Sequence, residues 1–312
     1  MTNAIESFRR MLNQILASSF ARAIALMMLA ILLFDLMGAI IKHLGQHYPP
    51  QQLSLFRNIF GTVPSLVALS LSRSWHESGR PIRIRQWKLA LVRGLFITVA
   101  QFCFYLALAR LEFATATTLM FSGPLLITLL SIPVHGHKVG FSRWLAVLVG
   151  FAGVMLVMRP GSEVFSWVAL LPLGAAFCYA CTSVTAKLFD DSVPTALINL
   201  FTVVGALAGS TTVVLVTGGY VRVGAVEDWL WLLGMGTAGG TAVFCLISAY
   251  RMTAPSNLSP FEYFGIPIAF TIGWFFFAEA PFGRLFPGVL LIIGGGLLIV
   301  WHELRKSQPS GP

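Results

Sequence analysis

The amino-acid sequence contains itself twice. Phe102, Cys103, Ala107 and His137 of the first half recur 142 positions later as Phe244, Cys245, Ala249 and Glu279, and Pro124 recurs 143 positions later as Pro267. Lys42, Pro49 and Phe56 return 145 positions on as Lys187, Pro194 and Phe201. Each half divides into five apolar stretches. They are Ala23–Ile41, Gln52–Ser72, Leu89–Ala109, Ala114–Val134 and Arg143–Met158, then Trp167–Ala186, Thr195–Thr217, Trp229–Tyr250, Ser256–Ala278 and Leu285–Trp301. Most approach the roughly 20 residues a helix needs to cross hydrocarbon. An odd number of crossings per copy turns the second copy upside down, so the duplication predicts two inverted five-helix repeats. Inverted repeats around a central site are the architecture of a secondary transporter.

Composition names the solvent. Of 312 residues, 56% are hydrophobic and 11% charged, with a mean hydropathy of +0.80. A soluble domain carries about 25% charged residues, and a chain of this size has no way to hide so much apolar surface from water. The fold class is therefore all-α integral membrane, with ten transmembrane helices. Helices are expected over a barrel because the runs are long and continuously apolar, without a two-residue alternation. The expected organisation is a leader over 1–21, a first repeat over 22–159, a second over 165–303 and a tail over 304–312.

The net charge of +9 does not point to nucleic acid, because the basic residues sit between apolar runs rather than in one soluble patch. They read as topology signals. With the N-terminus inside, fourteen of the 21 Lys and Arg fall in cytoplasmic segments, most of the excess in Arg73–Lys88. Lys42, Arg110, Arg159, Arg222 and Arg284 fall outside, and Arg57 and Arg93 lie within spans. This bias predicts both termini in the cytoplasm. Met1–Phe20 has no cleavage signal after an apolar core and reads as an amphipathic leader to the first span.

The repeat, the dipeptides Phe56–Arg57 and Arg93–Gly94, and the segment APSNLSPFEYFGIPIAFTIGWFFFAEAP (Ala254–Pro281) are similar to those of the EamA-type ten-span transporters of the drug/metabolite transporter superfamily. The resemblance covers about Arg22 to Trp301. It implies a bacterial inner-membrane carrier of small metabolites, with two five-helix repeats around a central cavity. Carriers taking up S-adenosylmethionine or riboflavin, and amino-acid exporters, belong to that superfamily, so the resemblance implies a vitamin- or nucleoside-like solute. An amino-acid exporter remains the alternative. One departure stands out: where the second repeat has the usual acidic residue after its fourth span, Glu279, the first has His137.

Charges buried in a span are costly and mark function by default. By sequence depth, Asp35 and Arg57 lie roughly 8–10 Å below the outer boundary, whereas Arg93 and Glu262 lie close to the cytoplasmic ends of their spans. Two layers of opposite charge are expected, Asp35 with Arg57 and Arg93 with Glu262, holding or gating the solute. The competing reading is that each pair only holds helices together, and the long stem of Arg93 can also snorkel to the interface. Glu262, in Pro260–Phe261–Glu262–Tyr263, is the candidate proton site, which makes protons the expected coupling ion. Gln101, Tyr105, Tyr179, Asn199 and Tyr263 offer amides and ring faces at mid-depth. Thr115, Thr117, Thr118 and Ser122 follow one another on the fourth span, where hydroxyls more often bond their own helix.

Other signals carry no chemistry. Cys178 and Cys181 have redox spacing but sit inside an apolar span, where small cysteines pack well. Cys103 and Cys245 are equivalent through the repeat and read as matching packing positions. His135 and His137 stand in a solvated loop without a carboxylate or cysteine. Tyr48 and Tyr220 read as interface anchors, and Gly236, Gly240 and Gly294–Gly296 as close helix crossings. No phosphate-binding loop or catalytic triad is present, so neither an ATP-driven mechanism nor a cofactor or metal is expected. A membrane-embedded lipid-modifying enzyme would need clustered His, Asp or Ser, and the six histidines are scattered. A scaffold or channel subunit is the third class. A duplicated chain supplies its own pseudo-twofold partner, so monomer and dimer both stay open.

Overall fold

In a computed structural model, the described residues are 19–80, 82, 84–123, 125–127, 129–130, 141–158, 166–185, 188–190, 192–252, 261–279 and 282–307. The leader before residue 19, His135, His137, Lys187, Ser256 and Pro260 lie outside them, as does the tail beyond residue 307. The described chain is all helical. The helices that carry the fold are α1 (Ser19–Leu44), α2 (Pro50–Ser70), α3 (Trp87–Leu108), α4 (Phe113–Met120) and α5 (Phe141–Met158). In the second half they are α6 (Leu170–Thr185), α7 (Thr195–Thr217), α8 (Val226–Met252), α9 (Gly265–Phe277) and α10 (Gly288–Ser307).

Among the described residues, six stretches are long and apolar enough to cross a membrane: Phe20–Leu44, Pro50–Ser70, Trp87–Leu108, Trp167–Thr185, Ala196–Thr217 and Val226–Leu246. Shorter apolar helices accompany them. The outside of the bundle is apolar, with Leu32, Val63, Leu66 and Phe275 exposed, while Asn58, Gln101, Thr118 and Ser210 are buried. That inversion of the usual soluble pattern suits lipid as the surrounding medium. The chain is a multi-pass membrane protein.

Local chemistry sets the helix ends. Pro49 and Pro194 each stand just before a long helix, α2 and α7, with extended-type backbone (φ −68° and −59°). Proline lacks the N–H that a helix start leaves unpaired, and its fixed φ suits that place. The two prolines are repeat counterparts, so the duplication reproduces a structural boundary. At the other end of α9, Ala278 turns left-handed (φ 54°), and the amide of Glu279 donates back to the Gly273 carbonyl at 3.0 Å. The left-handed residue closes the helix, and the Glu279 side chain turns back onto the bundle.

Most of the substantial packing joins one half to the other. α1 lies on α8 and α3 on α6; α2 lies on α8 and α3 on α7; α2 meets α7, α4 meets α9 and α5 meets α10. Exchanging α1 with α6, α2 with α7, α3 with α8, α4 with α9 and α5 with α10 maps this set of pairings onto itself. Glycines permit the closest crossings. A Cβ on Gly94 of α3 would stand 2.5 Å from the Ala206 amide and the Thr202 carbonyl of α7. One on Gly236 or Gly240 of α8 would strike Phe60 or Pro64 of α2. At Gly294 an added Cβ would meet nothing within 4 Å among the described residues, whereas Gly288 makes a close crossing against Gly153 of α5.

Candidate functional site

The fourth and ninth apolar stretches are interrupted helices. Regular helix ends at Met120, with a turn over Phe121–Ser122, and a second turn over Tyr263–Phe264 precedes α9. In sequence, Pro124 and Pro267 follow the two turns, and each lacks the N–H that would bond four residues back. Tyr263 is the position 142 beyond Phe121, so the two interruptions are repeat counterparts. They also meet in space, the Phe121 and Tyr263 rings lying 6.1 Å apart. Around them, buried hydroxyls are left unspent. Thr117, Thr118 and Ser122 of the fourth stretch and the Tyr263 phenol have no hydrogen-bond partner among the described residues. Unpartnered polar groups inside a bundle are costly, which makes this place the candidate site.

Arg57 and Asp35 do not form the expected layer. Both are buried, yet no ion pair joins them among the described residues. The reason is azimuth rather than depth. Arg57 packs where Gly239 of α8 and Met37 of α1 converge, since a Cβ on Gly239 would lie 3.2 Å from its Nε and 2.5 Å from the Met37 sulfur. Met37 is two residues beyond Asp35, or roughly 200° around the helix. Arg57 Nη1 donates to Asn58 Oδ1 at 3.2 Å, its Nε has no partner among the described residues, and it lies within electrostatic reach of Tyr105 and Tyr179. A guanidinium beside two phenols, one of them with an unspent hydroxyl at Tyr105, makes a donor-rich pole.

Gln101 sits behind that pole rather than in it. Its Oε1 accepts from Ser54 at 2.7 Å and Asn58 at 3.0 Å, and its Nε2 donates to Asn58 Oδ1 at 3.2 Å. Asn58 Nδ2 also reaches the Ala206 carbonyl and Ser210 Oγ, each at 3.3 Å. This buried amide cluster ties α2 and α3 to α7 and fixes the residue next to Arg57. Asn199 is likewise engaged, donating to Ser65 Oγ at 3.3 Å beside a cavity between α2, α7 and α8. Asn58 went unnoticed in the sequence because a lone amide in an apolar run carries no pattern.

The second expected layer is not joined either. Arg93 Cζ lies 5.3 Å from the ring of Phe189, and no ion pair links it to Glu262 among the described residues. Glu262 is half-buried just ahead of the turn at Tyr263. Cys178 packs in an apolar cluster with Ala100 and Ala175.

One end of the bundle is closed by side chains that the sequence reading did not bring together. Lys42 Nζ, at the end of α1, lies 2.6 Å from Glu279 Oε1 and donates to the Leu111 carbonyl at 2.7 Å. Glu279 Oε2 accepts from the Phe113 amide at 2.7 Å, and the Lys42 ammonium stands 5.3 Å from the Phe277 ring. Close by, Gln52 exchanges two 2.7 Å bonds with the Val221 backbone. Tyr48 is buried, not an interface anchor, and donates to Asp228 at 2.6 Å. That carboxylate holds the Tyr48 phenol up at about 12. Apart from the Lys42–Leu111 bond, each of these contacts joins the first half of the chain to the second.

The sequence model of the EamA-like transporter family matches twice, over residues 21–159 and 166–301. A riboflavin transporter of Vibrio cholerae is 30% identical over 61% of this chain, and the match spans only 63% of that transporter's length. An S-adenosylmethionine uptake transporter of Rickettsia bellii is 22% identical over 86% of this chain and 89% of its own. A pseudopaline exporter of Pseudomonas aeruginosa is 24% identical over 91% and 95%. A solved crystal structure superposes with a TM-score of 0.64 at 20% identity, covering 92% of this chain and 99% of that one, which shows a shared fold.

Proposed function

The chain belongs to the EamA-like transporter family, and from that premise we propose that it is a secondary-active carrier of small molecules, not an enzyme, working by alternating access. Its solute is a small polar metabolite, vitamin- or nucleoside-like, of the kind named by the riboflavin and S-adenosylmethionine carriers it is similar to. The proposal extends to ten spans in two inverted repeats, 22–159 and 165–303, between a cytoplasmic leader and tail in a bacterial inner membrane. The reciprocal exchange of packing partners between halves supports a twofold relation between the two repeats.

The observation that carries the reading is the meeting of two interrupted helices, Phe121 against Tyr263, amid buried hydroxyls with nothing to bond. Carriers build their sites from discontinuous helices at the interface between repeats. Arg57 with Tyr105 and Tyr179 supplies donors for an anionic or carbonyl-bearing part of the solute. Asp35 and Tyr263 supply a second pole, Gln101 positions the first, and Arg93 and Glu262 flank the path. Lys42 and Glu279 form the outer closure, released when the halves rock apart. The exporter among the relatives keeps efflux open as the second direction.

Purified protein in proteoliposomes, without ATP, is to be assayed for uptake and efflux of radiolabelled riboflavin, S-adenosylmethionine and amino acids. Saturable flux of one of them, with Arg57→Ala slower by on the order of tenfold or more, supports the carrier. Glu262→Gln in the same assay addresses protons: a wild-type rate from pH 6 to 8 removes Glu262 as the coupling site.

A further inference from the structure

Asp35 is 6% exposed, and among the described residues it has neither a hydrogen bond nor an ion pair, its Oδ2 being wholly enclosed. The register of α1 against α4 shows what stands opposite. A Cβ on Gly38 of α1 would meet the Phe113 ring at 3.0 Å, and a Cβ on Gly265 would meet both Phe121 at 2.5 Å and Ile31 of α1 at 3.2 Å. The two helices therefore run antiparallel there, Gly38 facing Phe113 and Ile31 lying beside Phe121. Asp35 lies between Ile31 and Gly38 on the same α1 face, at the spacing that puts residues i, i+4 and i+7 in one stripe. Thr117 lies midway between Phe113 and Phe121 on α4. The register sets Asp35 at the level of Thr117, a residue 6% exposed whose buried hydroxyl is also unpartnered among the described residues. Tyr263, 5% exposed and with its own phenol unspent, closes the group through its ring contact with Phe121.

We infer that Asp35, Thr117 and Tyr263, bracketed by the rings of Phe113 and Phe121, form a subsite for a positively charged group of the transported solute. The inference rests on the carrier reading above and names a chemical class for one pole of its site. A carboxylate held among helices without a cation is destabilising unless a partner arrives. Among the described residues, Lys42 is paired with Glu279 and Arg57 lies around the other side of α1. Aromatic faces around a carboxylate favour alkylated cations, a sulfonium or a substituted ammonium, through charge and ring quadrupole together. A compact ammonium on a neighbouring backbone would satisfy the hydroxyls as well. A neutral solute leaves the carboxylate as it is.

The test is thermal stabilisation of the purified full chain in detergent by S-adenosylmethionine and by S-adenosylhomocysteine, which differ by one methyl and the sulfur's positive charge, with riboflavin as an uncharged probe. Binding to the folded state raises its apparent stability. The expected result is half-maximal stabilisation by the sulfonium at a concentration lower by on the order of tenfold than by the thioether. Asp35→Asn abolishes that difference and Thr117→Val narrows it. Equal response of the wild type to the two sulfur compounds overturns the subsite even if Asp35→Asn does not fold, and so does an unchanged difference in Asp35→Asn. If riboflavin is transported while neither sulfur compound binds, the carrier stands and the subsite falls; if no probe binds or moves, both fall.

Discussion

Lys42 and Glu279, 237 positions apart in the chain, lie 2.6 Å from each other, and the same two side chains also hold the Leu111 carbonyl and the Phe113 amide. The last turn of α1, the α3–α4 connection and the end of α9 are thereby tied by a single ion pair. Both side chains are less than a quarter exposed, at 11% and 22%, so the pair is screened less than a surface bridge.

If this clasp closes one side of a carrier, reversing either charge must spoil closure and reversing both must restore it. Lys42→Glu and Glu279→Lys are each expected to slow solute exchange in proteoliposomes by on the order of tenfold, the size of a charged hydrogen bond of about 1.5–3 kcal/mol. The double reversal is expected to recover much of that loss. Two slow single variants with no recovery in the double would assign the residues to folding alone.

The bond from Tyr48 to Asp228 gives a signature in alkali. Its phenol titrates at about 12 when folded against 10 for an ordinary tyrosine, chiefly because the Asp228 carboxylate accepts its proton. Above pH 10 the unfolded chain gives up that proton before the folded one does, so the folded state binds more protons and stability falls as pH rises from about 10 to 12. The contribution is complete below pH 10. Thermal unfolding of wild type and Tyr48→Phe measured across that window should therefore converge at high pH, and a constant gap would contradict the assignment.

Gly94 and Gly294 make a matched pair. Gly94→Ala drives a methyl into the α7 backbone and is expected to cost about 1–3 kcal/mol, seen as a lowered melting temperature in detergent. Gly294→Ala meets open space and should be neutral or slightly stabilising, because alanine is the better helix former.

Gln101 and Asn58 are expected to act on stability before affinity. Gln101→Leu leaves Ser54 and Asn58 without their shared acceptor, a loss of about 1–3 kcal/mol for buried groups. Calorimetry and solute titration of the same variant separate the two roles. An unchanged melting temperature with weakened solute binding would put the Gln101 amide in direct contact with the solute.

Much of this fold was legible because its two strongest signals are linear. Apolar run length marks the spans, and the 142–145 residue offset pairs Pro49 with Pro194 at two helix starts. The site was legible only in part. Asp35 and Arg57 were rightly picked as buried charges, but sequence gives depth along a helix and not the direction in which a side chain leaves it. Met37, not Asp35, faces Arg57 for that reason. Lys42 was read as an outside topology charge, Tyr48 as an interface anchor and Glu279 as the acidic residue after the second repeat's fourth span, since nothing local distinguishes a polar group bathed in water from one clasped between two halves. The interruptions before Pro124 and Pro267 had a local signal, a proline inside an apolar run, yet only their meeting in space shows where the two copies join.

The central claim is that the hollow at those interruptions opens to each side of the membrane in turn. Ser122→Cys, in a chain whose Cys103, Cys178, Cys181 and Cys245 are replaced, places a single thiol there. It is to be labelled with a membrane-impermeant maleimide in right-side-out and in inside-out vesicles, with and without solute. The account predicts labelling from both sides, slowed on both by the bound solute. Labelling from one side only, whatever solute is present, would contradict it.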